Sequence, residues 1–594
     1  MRNRLVLAAI GLCAALLVLI NHPLVLAQPA SVAIGSGGAV ATVDARATQI
    51  GIDVLKAGGN AIDAAVAAAA TLGVVEPFSA GIGGGGFMVI YRKTDDQVIT
   101  IDGREQAPAS TSVEMFNDPA TGELLPFSPN RISSGLAVGV PGTLLTWTEA
   151  LNRYGTVSLA QALAPAIALA EEGFSVDATF ASQIQENQAR FATFSSTRDL
   201  YLPAGAPPAV GSISKNPDLA KTYRLVAQNP NVFYRGEIGE AIVQTVQHPP
   251  TVENPPFAVL PGNMTMADLD DYDLHVRTPV AIDYRGYQLY GMGLPSSGSI
   301  TGGQALKLLE GFDLASLDRP QALNKLIEAE RIAFADRAAF LGDPEFVDAP
   351  IAGLLSREYA DLRRTEVGDR AMTGGRDAKA TAGNPLPFQS DPSPSLSAIP
   401  AAQISDHEGL STTHLTVADQ LGNVVSYTLT IEATGGSGIV VPGYGFILNN
   451  ELTDFDPTRP HPNAPEPQKR PRSSMAPTIA FAPDGTVIAF GSPGGSTIIT
   501  TVLGIATHLI EFKLPIDQAI AAPRISQRNG GVTQVDSGFE ATELGQALSA
   551  LGHVLEPVPE IGAATGIVIR PDRTMTAAAE PTRRGGGAAM TVRS

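Results

Sequence analysis

This chain predicts a layered α/β fold, with a sandwich of sheets held between helices. Three observations carry that expectation. Helix-like stretches recur along the chain before residue 341. Strand-like segments cluster abruptly after Ser411. A further apolar helix, Thr497–Glu511, follows them. Apolar residues make up 44% of 594 and charged residues 17%, enough for a large core and too little charge for a disordered chain. Acidic residues outnumber basic ones, 59 to 40, for a net charge of −19 with no basic face, which argues against nucleic-acid binding.

Read in order, the chain opens on an address. Arg2 and Arg4 precede the apolar stretch Leu5–Ile20, and Val25-Leu26-Ala27 fits a small-residue cleavage rule, so 1–27 reads as a signal peptide. The alternative is a retained membrane anchor, for which the stretch is short. Export to a periplasm or beyond is the expectation. Cys13, the single cysteine, lies in this leader, so the mature chain has neither disulfide nor thiolate chemistry. Ala45–Leu72 reads as helical with a break at Gly58-Gly59-Asn60, and its second half is small and apolar all round, as a buried helix requires. The strand Phe87–Tyr91 and its hairpin partner Val98–Asp102 follow. Leu144–Tyr154 and Leu159–Glu172 read as helices, the second kinked at Pro165, and Asn324–Phe340 as a third that stops at Gly342-Asp343-Pro344. Val367–Leu410, rich in Pro, Ser, Gly and Ala, reads as an exposed, mobile segment. The strands are then Thr412–Ala418, Val424–Ile431, Gly445–Leu448, Thr478–Phe481 and Val487–Phe490.

Gly81–Gly86 satisfies the spacing G-x-G-x-x-G, but a helix precedes it and a strand follows, the reverse of a dinucleotide site. It reads instead as a tight turn where another backbone passes closely. The eight histidines show no zinc-ligand spacing, and no cofactor is implied.

The chemistry concentrates at Ser411-Thr412-Thr413-His414. A three-residue loop Gln420–Gly422 would pair Asp419 with Asn423 and bring Thr412 opposite Thr430. A flexible segment ending at Ser411 before a rigid hairpin is the arrangement expected if the chain is cut there. A free N-terminal threonine carries a nucleophilic hydroxyl beside an α-amine whose ordinary pKa is about 7.7–8.0, a base suited to neutral pH.

With these residues the chain resembles the γ-glutamyltransferases of the N-terminal-nucleophile hydrolase superfamily. The matching stretches run in family order: Gly58–Ala65, Gly81–Phe87, Asp102-Gly103-Arg104-Glu105, Val140-Pro141-Gly142, Pro295–Gly298, Thr412-Thr413-His414, Asn449-Asn450-Glu451 with Asp454, Arg470–Met475 and Gly491–Ser496. The resemblance implies a four-layer αββα fold and self-cleavage before Thr412, into a large subunit of 28–411 (367–411 the linker) and a small one of 412–594. It implies a γ-glutamyl donor such as glutathione and water, an amino acid or a peptide as acceptor, and membrane contact only through an uncleaved leader.

The same resemblance assigns roles. Thr412 is the nucleophile and Thr430 the hydroxyl that touches it. Arg104, with Ser473 and Ser474, would hold the donor α-carboxylate, because a planar guanidinium matches a carboxylate bidentately. Asp454 and Glu451 would hold the α-ammonium. The N–H groups of Gly494 and Gly495 would face the oxyanion. His414 receives no proton-transfer role and reads as a packed core residue, and Asn449 and Asn450 as loop-shaping. Two departures stand out. Glu432 replaces an asparagine common in the family, and only 18 residues, six of them proline, join Asp454 to Ser473. A short or absent lid is expected there. Two alternatives stay open: a cephalosporin (glutaryl) acylase on the same scaffold, and a non-catalytic exported binding protein.

Overall fold

Alternation within each strand builds the layers. Along the Gly85–Arg92 strand, Met88 and Ile90 join a core shared with helices, while Val89 and Tyr91 join a second core between sheets. The opposing sheet alternates likewise: Ile488 and Phe490 pack outward on helices and Ala489 inward. In the computed structural model, which describes residues 31–389 and 411–593, the result is four layers, α-β-β-α.

Each of the two large sheets has seven strands. One runs in spatial order Val32–Gly35, Met575–Ala579, Thr565–Ile569, Val487–Gly491, Thr478–Phe481, Tyr287–Gly291 and Val280–Tyr284. The other runs Ala588–Thr591, Gly38–Thr42, Thr413–Asp419, Val424–Thr430, Gly85–Arg92, Gln97–Gly103 and His275–Arg277. Every pairing within them is antiparallel.

Ala45–Lys56 and Ala61–Val75 cover the second sheet. Asn60 caps the latter in a capping box with Asp63, and all fifteen of its residues are buried. The expected hairpin forms in the expected register: Thr413 pairs with Leu429 and Ala418 with Val424. Asp419 N–H donates to Asn423 O at 3.0 Å, and Gly422 takes φ +93°, the left-handed position that the loop needs.

Several expectations need correction. Gly445–Leu448 is not a strand: the chain turns through Gly443 and Gly445 at φ +74° and +72°, leaving a single bridge between Val440 and Ile447. The helix expected from Asn324 begins at Arg319, because Asp318 accepts from Gln321 N–H at 2.8 Å and Pro320 suits a first turn. The helix Leu159–Glu172 has the expected bounds, with Pro165 inside it. The segment expected to be exposed is so over most of 368–377, but beyond that it docks on the body at points. Ala378 and Ala380 are buried, Ala380 N–H donates to Asn529 Oδ1, and Gly383 N–H donates to Asp336 Oδ1, each at 2.7 Å. Small side chains let that backbone approach buried acceptors directly. Residues 390–410 and the leader, Cys13 included, lie outside the described residues.

Candidate active site

Thr412 stands one residue before its strand. Its Oγ1 touches the Ser411 carbonyl oxygen and lies 3.1 Å from Thr430 Oγ1. Thr430 Oγ1 in turn accepts from Glu432 N–H at 2.9 Å. Ser411 is anchored by its own hydroxyl, 2.8 Å from Phe78 O and 3.0 Å from Ser79 Oγ. The glycine run sets this geometry. A Cβ on Gly84 would lie 2.0 Å from Thr430 O, and one on Gly83 2.2 Å from Ile447 O. Only glycine allows that turn to press against the threonine-bearing strand.

A narrow cleft of about 20 Å³ opens beside Thr412 and is lined by every other candidate except Gly494: Arg104, Thr430, Glu432, Glu451, Asp454, Ser473, Ser474 and Gly495, together with Ser411. Arg104 is buried and anchored by Nε to Pro471 O at 3.0 Å. It donates from Nη1 to Glu451 and from Nη2 to Asp454 Oδ2, the latter at 2.5 Å. Burial alone would weaken its charge, but Glu451, Asp454 and Glu105 around it push its pKa upward. Glu105, behind the cleft, is held well above the usual carboxylate range by burial and by Glu451 beside it. Ser474 Oγ accepts from Arg337 Nη2 at 2.6 Å, and Ser473 Oγ from Met475 N–H at 3.1 Å.

Glu432 sits at φ +78° and accepts from Asn450 Nδ2. Asn449 ties loops together, donating to Gly83 O and Gly139 O, each at 2.8 Å. Gly494 and Gly495 take φ +133° and +57°, and neither N–H donates to a protein group among the described residues. None of residues 455–472 lines the cleft. His414 lies between the sheets, with ring nitrogens 2.8 Å from Thr428 Oγ1 and 3.2 Å from Thr416 Oγ1; burial lowers its pKa to about 3, so it is neutral. Gly491 makes room for it: a Cβ there would lie 2.4 Å from the ring.

Among the described residues no cluster of three or more His, Cys, Asp or Glu could hold a metal ion. A threonine hydroxyl, a buried arginine, two serines and several carboxylates therefore line one cleft. The family model for gamma-glutamyltranspeptidase matches residues 47–590. This chain belongs to the γ-glutamyltranspeptidase family. A relative from Bacillus subtilis (strain 168), named glutathione hydrolase proenzyme, is 41% identical over 558 residues, 93% of this chain and 91% of that one. The acylase ACY 1 proenzyme of Pseudomonas sp. (strain SE83) is 36% identical over 560 residues, 93% of each chain. The crystal structure of cephalosporin acylase from Bacillus halodurans superposes with a TM-score of 0.81 at 30% identity, over 97% of this chain and 100% of that one.

Some residues of this γ-glutamyltranspeptidase site escaped the sequence reading. Arg584 donates from Nη1 to Thr412 O at 2.7 Å, and beside it burial raises Glu76 to about 7 against the lowering pull of Arg584. Arg337 reaches Ser474 from a helix far back in the chain. No local pattern marks either arginine. Glu105 was within reach, since it adjoins Arg104 in a quoted stretch.

Proposed function

We propose that this chain is a self-processing γ-glutamyltransferase and glutathione hydrolase, exported and matured into two subunits. The observation that carries the reading is the Thr412 hydroxyl, in contact with the carbonyl of the residue before it and opening on a cleft where one arginine meets several carboxylates. In processing, Thr412 Oγ attacks the Ser411 carbonyl carbon. The C–N bond breaks, an ester forms, and the nitrogen takes the proton as a free amine. Water then hydrolyses the ester to the Ser411 carboxylate and restores the hydroxyl.

In turnover that amine takes the Thr412 proton as Oγ attacks the donor γ-carbonyl. The Gly494 and Gly495 N–H groups face the developing oxyanion, each such donor worth about 2.7–4 kcal/mol in comparable sites. Collapse expels the amine half of the donor, which leaves with the proton. Water or an acceptor amine then resolves the ester. Arg104, Ser473 and Ser474 hold the α-carboxylate, while Glu451, Asp454 and Glu432 surround the α-ammonium. That surplus of acid favours a γ-glutamyl over a glutaryl donor, which has no ammonium to pair with it. The leader Leu5–Ile20 supports export.

A denaturing gel with N-terminal sequencing tests the reading. The wild type should give two bands, the smaller beginning at Thr412, and should release p-nitroaniline from γ-glutamyl-p-nitroanilide; Thr412→Ala should give one band and no release. A single wild-type band with full activity would overturn it.

A further inference from the structure

Residues 455–472 line none of the cleft, yet one of them is bonded to the backbone on both sides of it. Asn463 is buried and uses each of its four polar groups. Its N–H donates to His461 Nδ1 at 3.0 Å, and its carbonyl accepts from Asp456 N–H at 2.9 Å, which closes the loop 456–463 on itself. Pro457, Pro460 and Pro462 stiffen that loop. The side chain bonds beyond it: Nδ2 donates to Asp454 O, and Oδ1 accepts from Arg472 N–H, each at 2.7 Å. These partners fix the orientation of the amide, since a carbonyl can only accept and an N–H only donate.

The two partners belong to different parts of the cleft. Asp454 ends the short helical turn Glu451–Asp454, and both of those carboxylates line the cleft. Arg472 precedes Ser473 and Ser474, which line it as well. The Arg472 carbonyl accepts from Arg104 Nη2 at 3.2 Å, beside the Pro471 carbonyl that accepts from Nε at 3.0 Å. One buried amide therefore joins the backbone that carries the acids to the backbone that carries the serines and anchors the arginine. A γ-glutamyl donor presents its α-carboxylate and α-ammonium on a single carbon. The spacing of the two groups of side chains must match that carbon, and a misplacement of about 1 Å is costly.

We propose that Asn463 is a positioning residue for donor recognition. It sets Glu451 and Asp454 at a fixed distance from Arg104, Ser473 and Ser474, and so selects a donor that carries both charges. None of its hydrogen bonds reaches Thr412, Gly494 or Gly495, so its effect falls on binding rather than on bond making. The inference rests on the proposed function and adds the residue that sets its selectivity.

The test uses two competitive inhibitors of p-nitroaniline release from γ-glutamyl-p-nitroanilide by the processed enzymes. L-Glutamate has both charged groups, and glutarate lacks the ammonium. The wild type should bind glutamate about tenfold or more tighter than glutarate. In Asn463→Ala that preference should shrink about fivefold or more, with a raised donor KM and a kcat within about twofold of wild type. Asn463→Asp keeps the shape and the acceptor for Arg472 N–H but loses the donor to Asp454 O. It should share the loss, and it carries the test if Asn463→Ala yields no processed enzyme. Variants that match the wild type, or that weaken both inhibitors equally and keep the preference, would overturn the inference while leaving the proposed function standing. So would a wild type that binds the two inhibitors alike. A wild type inert toward γ-glutamyl-p-nitroanilide would overturn the proposed function and this inference with it.

Discussion

Arg104 gathers carboxylates that would be costly apart. Glu451 is buried and Asp454 nearly so, and both pair with the same guanidinium. Arg104→Gln removes the cation and leaves them facing each other, a loss of about 3–5 kcal/mol for breaking a buried pair. The urea midpoint should fall accordingly, while Arg104→Lys recovers part of that stability but raises the donor KM at least tenfold, because an ammonium has no fork. An unchanged midpoint in Arg104→Gln would refute this account. His414 gives a pH signature. Its pKa is about 3 in the fold and about 6.5 when unfolded. Between those values the unfolded chain binds the extra proton, so the stability it contributes is present above pH 6.5 and lost as pH falls toward 3, by about 1.4 kcal/mol per pH unit. His414→Gln should show a shallower loss of stability on acidification, measured by denaturant titration from pH 6.5 to 4.

At the scale of elements, the Gly81–Gly86 turn and the Thr413–Thr430 hairpin form one device. Gly84→Ala would drive a methyl into the Thr430 carbonyl, and a backbone obstacle cannot yield as a flexible side chain can. It should impair self-cleavage and destabilise the fold, whereas Gly81→Ala, with nothing within 4 Å of the added methyl, should process normally. Equal behaviour of the two on a time-resolved denaturing gel would refute the argument. The hairpin was legible because strand alternation and loop length are local rules, and they carried its register to the residue. Gly445–Leu448 was misread for a related reason. Its apolar residues fit a strand, but glycine conformation at Gly443 and Gly445 turns the chain instead. The start of the Arg319–Phe340 helix was misplaced because its residues are buried nearly all round, so hydrophobic periodicity marks no boundary there.

The whole molecule is interleaved across the proposed cut. Each large sheet draws strands from both sides of the 411–412 bond, and Thr413–Asp419 sits between Gly38–Thr42 and Val424–Thr430. Cleavage therefore cannot part the subunits without unpairing inner strands. The processed enzyme should elute from a native sizing column as one species and unfold in a single transition, its two pieces separating only in denaturant. Pieces that separate in native buffer would contradict that. From the sequence alone came the layered fold, the pairing of Thr412 with Thr430 and the charged residues that line one cleft with them, because turn chemistry, strand alternation and ordered short stretches are properties of neighbouring residues. Only the tertiary structure decided that Arg584 reaches Thr412 and that Arg337 braces Ser474. Those relations join residues far apart in the chain, and they exist only once two sheets have stacked and brought their ends to one edge.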